Sequence, residues 1–342
     1  MHAAVFKGPD LGFAIEEVPD PAPKPHEIIL RVNRCGICGT DLHLTDGKGF
    51  LQVPAGTVLG HEFAGEVVAV GSDVAHFAVG DHATALAAIA ACGQCEPCSA
   101  GELQWCISDH RFFPETGGYA QYAPVAEPQA VKLPISLSLA DAALVEPLAV
   151  AWHGYRLAEL SPGADVLVVG AGPIGLSVAF WARRMGARKV VVQAQSRRRE
   201  VQALAMGADA FVTSGNFAAG AAAGELGGSP DVVFEAVGAP GAIELAMQAV
   251  RPRGTVVVLG WCGVPDAYTP ALYLMKEIRV QFSMTYSVSD FTHTISVLDR
   301  GDIDPRAMIT ETIGLSDLPN TFNTLRAGAD QCKVLVDPWR DC

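Results

Sequence analysis

The chain has 342 residues, of which 50% are hydrophobic and 18% charged, and its net charge is −13. That length and apolar content predict two domains with large cores and exclude a disordered chain. The acidic balance excludes nucleic-acid binding through a general basic field. The sequence holds no apolar run of about 18 residues, the length of a membrane-spanning helix. Its first residues, Met1–Lys7, lack the basic, apolar and small-residue order of a secretory signal. The expectation is therefore a cytoplasmic protein with no membrane partner. In that compartment nine cysteines are better read as metal ligands or core thiols than as disulfides.

Short strands are predicted first, at Ala3–Phe6, Phe13–Glu17 and Ile28–Val32, with the proline-rich connector Pro19–Pro25 between the last two. Cys35-Gly-Ile-Cys-Gly-Thr-Asp-Leu-His43 follows, a turn that packs thiols, a hydroxyl and an imidazole together. Next come Gly60-His61-Glu62, a strand at Ala64–Val70, and another at Asp81–Leu86 after the turn at Gly80. A cysteine-rich lobe spans residues 92–106, and Gly117–Tyr122 leads back into extended structure. At Leu139 the pattern changes. Leu139–Tyr155 has helical apolar spacing, and Asp165–Val169 is an apolar strand. A glycine-rich turn and a helix to Met185 follow, then a strand at Lys189–Val192 and a helix to Met206. Phe211-Val212, Asp231–Phe234, Thr255–Leu259 and Ile278–Phe282 continue the alternation. Apolar strands alternating with helices predict an α/β fold with a doubly wound parallel sheet. From residue 287 the rhythm stops, and Lys333–Val336 is expected to return as a strand to the first domain.

Cys92, Cys95, Cys98 and Cys106 are spaced C-x2-C-x2-C-x7-C. Four thiolates so close in sequence can close a tetrahedron around zinc, with no position left for water. Such a site is structural, and should stabilise the lobe rather than perform chemistry. The alternative is a redox pair with spare thiols; the spacing matches none of the common iron–sulfur patterns.

Gly170-Ala-Gly172-Pro173-Ile174-Gly175 lies between a strand and a helix, the context in which a glycine fingerprint predicts dinucleotide binding. Gly170 permits the turn, Gly172 admits a pyrophosphate, and Gly175 lets helix and strand approach. The N-terminus of the following helix offers N–H groups to phosphate. An NAD site usually has an acid at the end of the next strand, for the ribose 2′-hydroxyl. Here Ala194 holds that position, followed by Gln195, Ser196 and then Arg197, Arg198 and Arg199. Ser196 is a candidate N-cap, and cations just after it oppose the helix dipole. A bound 2′-phosphate explains them, so the predicted cofactor is NADP(H); the alternative is a solvated helix face.

A reactive zinc needs three protein ligands and an open position. Cys38 and His61 supply two, and Glu146, an acid inside an apolar run, is the best-placed third. Glu62 is either an alternate ligand or a supporting group, and Asp41 can orient His61. Phe50, Phe112 and Phe113 read equally well as core or as walls of an apolar substrate pocket.

On Cys35–His43, Gly60-His61-Glu62, the four-cysteine lobe, Glu146-Pro147, the glycine fingerprint and the terminal Lys333–Pro338, essentially the whole chain resembles the medium-chain zinc alcohol dehydrogenases, most closely the sorbitol, threonine and butanediol dehydrogenase branch. The resemblance implies a GroES-like catalytic domain from residues 1–147 and 287–342, and a Rossmann domain from 148–286. It makes Cys38 the ligand and Cys35 a packed thiol, and supports Glu146 as the third ligand. Two zincs per chain are implied, one catalytic and one structural. The implied activity is reversible hydride transfer between a secondary alcohol or polyol and NADP, with Thr40 and His43 relaying the proton. A homodimer or homotetramer is expected, with Ile278–Phe282 pairing across the dimer. The competing readings are a zinc-independent enone or quinone reductase and a non-catalytic nucleotide-binding protein. The complete Cys38, His61 and Glu146 set argues against both.

Overall fold

Short strands, several of them continuous apolar runs, occupy much of the first third of the chain and pair into sheets. The computed structural model describes residues 1–49, 51–86, 91–108, 117–214, 218–301 and 305–340. In chain order its strands are β1 (His2–Phe6), β2 (Phe13–Glu17), β3 (Glu27–Gly36), β4 (Glu62–Val70), β5 (His82–Ala85), β6 (Tyr122–Ala126), β7 (Ala130–Lys132), β8 (Asp165–Val169), β9 (Lys189–Ala194), β10 (Ala210–Thr213), β11 (Val232–Glu235), β12 (Thr255–Val258), β13 (Arg279–Phe282), β14 (Ile309–Gly314) and β15 (Lys333–Asp337). The chain divides into two units. One comprises Met1–Glu146, Tyr286–Asp302 and Ile309–Cys342; the other comprises Pro147–Thr285 and Ile303–Met308.

In the first unit β1 and β2 form a hairpin, and the main sheet runs β14-β15-β3-β4-β5-β7 with β6 also on β3. β3 extends past the predicted strand to Gly36, and its register against β4 shifts between Val32 and Arg34. Such irregularities bend a strand and re-aim its end. Here that end leads to Cys38. Gly36 pairs with Glu62 of β4 and with Leu335 of β15. The register therefore brings three distant segments to one corner: the turn after β3, the residues before β4, and the head of β15. Phe6, Phe13, Phe63, Tyr119 and Phe322 pack in the core behind this corner.

The second unit holds a six-stranded sheet, ordered β10-β9-β8-β11-β12-β13. All its pairings are parallel. β11 and β12 are buried throughout, as strands covered on both faces require. Chain order reverses between β8 and β11, which is where a doubly wound sheet opens its ligand crevice. The α/β class and the doubly wound sheet match the sequence reading.

The tail after residue 287 is more regular than its sequence rhythm suggests. A helix runs from Val288 to Arg300, opened by a capping box in which Ser287 and Asp290 bond each other's backbone N–H. Another helix spans Leu318–Arg326, and Pro305–Met308 forms a 3-10 turn whose Met308 sulfur accepts from Ser177 Oγ at 3.6 Å. Among the described residues no helix is long and apolar enough to cross a membrane.

Candidate metal centres and cofactor cleft

The helix Gly39–Leu44 is only six residues long, and its start is fixed by the side chains of Cys38 and Asp41. Cys38 is its N-cap. Its sulfur accepts the Thr40 N–H at 3.4 Å, while Asp41 Oδ2 accepts the Cys38 N–H at 3.3 Å. Thr40 is half-buried and His43 exposed. Three residues apart, they lie on one face of the helix.

Asp41 also supports His61. Its Oδ1 stands 3.2 Å from His61 Nδ1, so Nε2 is the nitrogen that can ligate a metal. Burial pulls the imidazole pKa down, but the charges of Asp41 and Cys38 and their hydrogen bonds outweigh it, and the net shift is well upward. Donor atoms of Cys38, His61 and Glu62 all lie within 4.8 Å of one another. A thiolate, an imidazole and a carboxylate in this much space form a set that suits zinc. Gly60, at φ +97°, sits just before His61. A Cβ there would come within 2.7 Å of Cys35 Sγ and 2.8 Å of the Tyr119 ring. Cys35 itself is fully buried. Burial first, then Asp41 and Glu62, holds its thiol well above the ordinary pKa, so it is a packed thiol.

Glu62 is not solitary. Lys333 Nζ donates to Glu62 Oε1 at 2.6 Å and to Oε2 at 2.5 Å, and to the Ile37 carbonyl at 3.1 Å. Both side chains are 1% exposed. Burial would lower the lysine's pKa, but Glu62, Cys38 and Glu146 hold it at about 12. Glu146 is not in the 4.8 Å set. It opens the helix Val145–Leu157 and is 4% exposed. Burial raises its pKa to about 7; His61, Lys333 and a Tyr286 hydrogen bond oppose the rise, and Glu62 adds to it. Cys38, His61, Glu62 and Glu146 thus form one electrostatic cluster.

The lobe is different in kind. Cys92, Cys95, Cys98 and Cys106 bring their sulfurs within 4.8 Å of one another. The Cys92–Cys98 and Cys95–Cys106 separations are 4.0 Å. A tetrahedron of zinc–sulfur bonds has edges of about 3.8 Å, whereas a disulfide is about 2.05 Å, so the spacing fits a metal. Backbone N–H groups of Gln94 and Cys95 donate to Cys92 Sγ, and the Cys92 N–H donates to Cys106 Sγ. The Gln94 N–H, with Ser108 and Cys95, lowers the Cys92 pKa to about 6. Burial, with neighbouring thiols, raises that of Cys98 to about 12.

In the second unit a cleft of about 680 Å³ is lined by Gly170, Ala171, Gly172, Ala194, Gln195, Ser196, Arg198, Arg199, Ala236 and Val237. It opens at the ends of β8 and β11, at the reversal of strand order. Gly170 has φ +109°, and a Cβ at Gly175 would lie 2.0 Å from the Gly170 carbonyl oxygen. Gly172 caps the helix Pro173–Arg184 with no side-chain bond to its N–H groups, which suits a phosphate there. Pro173 and Ile174 form its first turn. The three arginines make a 3-10 turn with Ser196 at the N-cap position, but the serine hydroxyl makes no capping bond. Arg197 is turned to Glu200, at 2.7 and 2.5 Å, and does not line the cleft. Arg198 does, and so does Arg199, whose Nη1 donates to the Ala171 carbonyl at 3.3 Å.

Two residues of the first centre escape sequence reading. Tyr119 reaches Asp41 from 78 positions away and Lys333 reaches Glu62 from 271. For Lys333 a signal existed: a lysine heading an apolar strand needs a buried anion. Tyr119 had none. Phe50, Phe112 and Phe113 lie outside the described residues.

Comparison with known proteins places the chain in a family. Residues 24–135 match the alcohol dehydrogenase GroES-like domain, and residues 173–300 match the zinc-binding dehydrogenase domain. L-threonine 3-dehydrogenase of Saccharopolyspora erythraea is 34% identical over 99% of both chains. D-xylulose reductase A of Aspergillus niger is 32% identical over 89% of this chain and 87% of its own. A zinc-binding dehydrogenase from Sinorhizobium meliloti, solved bound to NADP, superposes with a TM-score of 0.89 at 31% identity, covering 98% of this chain and 99% of its own. The chain belongs to the zinc-dependent medium-chain alcohol dehydrogenase family. It is an oxidoreductase of the alcohol and polyol dehydrogenase type, working on small molecules with zinc and a nicotinamide cofactor.

Proposed function

We propose that this chain is an NADP-preferring alcohol dehydrogenase that oxidises secondary alcohols or polyols and, in reverse, reduces ketones. The observation that carries the cofactor choice is the cleft lining: Arg198 and Arg199 face it, and Ala194 stands where a ribose-binding acid would repel a 2′-phosphate. The NADP-bound relative is in keeping with this choice.

Cys38, His61 and Glu146 hold the catalytic zinc, and Cys92, Cys95, Cys98 and Cys106 hold the structural one, two per chain. Bound there, zinc supplies Lewis acidity to a substrate hydroxyl or carbonyl, and the nicotinamide supplies the hydride acceptor or donor. Thr40, beside Cys38, takes the hydroxyl proton. His43, on the same helical face and exposed, passes it to water. Asp41 keeps His61 in the tautomer that ligates. Glu62, bonded through both oxygens to Lys333, stays a supporting carboxylate. The β13 edge, with Phe282 66% exposed, pairs with a second copy, because an exposed apolar edge strand needs cover.

Comparing kcat/KM for NADP and NAD with one secondary alcohol tests the reading. NADP should be preferred, and Arg199→Ala should narrow the preference by roughly 10-fold or more, the worth of one charge-assisted hydrogen bond. A wild-type preference for NAD would sink it.

A further inference from the structure

A buried phenol needs a partner for its O–H, and Tyr119 is 0% exposed. Its partner is Asp41. Tyr119 Oη lies 2.5 Å from Asp41 Oδ2, with the Gly36 carbonyl farther off at 3.3 Å. The same Oδ2 accepts the Cys38 N–H, and the other oxygen, Oδ1, faces His61 Nδ1. One fully buried carboxylate therefore serves both the cysteine turn and the histidine, and the tyrosine hydroxyl makes its shortest bond.

Tyr119 is in turn held from several sides. Its N–H donates to the Leu59 carbonyl at 2.9 Å, two residues before His61, and its carbonyl accepts from the Ala4 N–H at 2.8 Å. Its ring packs edge-on against Phe13 and Phe322, with centroids 6.3 and 5.9 Å away. The hydrophobic core fixes the ring, and the ring fixes where the hydroxyl points. Without that hydroxyl, Asp41 Oδ2 keeps, among the described residues, the weaker Cys38 N–H, which opposes rotation of the carboxylate away from His61 less strongly.

We infer that Tyr119 is a positioning residue of the metal centre: its O–H locks the rotation of Asp41, which holds His61 in the orientation that binds zinc. This rests on reading Cys38 and His61 as zinc ligands. Groups that orient a metal-bound histidine are typically worth roughly 10- to 100-fold in metal affinity.

The test is zinc release to a chelator from the full-length, zinc-loaded protein, comparing wild type with Tyr119→Phe, which keeps the ring and removes only the oxygen. In the variant one zinc should leave more readily by about 10- to 100-fold. The lobe zinc, identified by its loss in Cys98→Ser, should be unchanged and so report an intact fold. In an Asp41→Asn background, Tyr119→Phe should add little further, because the two act as one unit. Equal zinc affinity in wild type and Tyr119→Phe overturns the inference, as does an undiminished effect in the Asp41→Asn background. A wild-type chain that holds only the lobe zinc overturns the underlying reading of the centre instead.

Discussion

The two candidate metal centres of the first unit are built on opposite plans. In the lobe, Cys92 to Cys106 lie within one short stretch, and backbone N–H groups cradle the sulfurs. At the other centre the donors come from separate segments that a sheet register brings together. There the supports are buried side chains: Asp41 on His61, Tyr119 on Asp41, Lys333 on Glu62. Four thiolates satisfy a zinc completely and leave nothing for a substrate. A mixed set of thiolate, imidazole and carboxylate, with three protein ligands, can leave a place open. The contrast teaches that the closed site needs only local chain geometry, whereas the open one needs a preorganised surrounding shell.

The comparison can be broken or sharpened by mutation. The largest effect should come from Thr40→Val. It removes the proton acceptor and keeps the shape, so turnover should fall by about 100- to 10,000-fold, while zinc content and cofactor binding, measured by fluorescence titration, stay at wild-type levels. Near-normal turnover would remove Thr40 from the relay. Next is Lys333→Met, which leaves the buried Glu62 carboxyl without its partner. Unfolding by denaturant should show a loss of about 3–5 kcal/mol, the usual cost of breaking one side of a buried pair. An equal loss for Arg197→Met, whose ion pair with Glu200 is on the surface, would deny the buried pair its special standing, since exposed pairs contribute little to stability. The smallest effect among these is that of Arg199→Ala on cofactor choice.

How much was legible in the sequence follows from the same contrast. The lobe could be read outright because its donors are neighbours in the chain. The glycine fingerprint and β8 could also be read, because turn and strand are local. The triplet Arg197–Arg199 could be read only as a group. Which arginines face the cleft depends on Glu200 capturing Arg197, a choice made by side-chain geometry. The meeting of Cys38 and His61 was legible only through their types and the family resemblance, and the closeness of Glu62 rather than Glu146 to them was not. Lys333 read as a strand residue and Tyr119 as part of an extended segment, because their partners lie in remote parts of the chain and leave no periodic trace. The helix Val288–Arg300 was missed for a different reason. Its capping residues, Ser287 and Asp290, were present, but its apolar stripe is diluted by threonines and serines.

The most direct test of the two-centre account is to measure zinc content and alcohol-dependent NADP reduction in Cys38→Ser beside the wild type. The account predicts two zincs per chain and turnover in the wild type, and one zinc, an unchanged fold and no measurable turnover in the variant. A variant that keeps both zincs, or that still oxidises alcohol with wild-type kinetics, would contradict it.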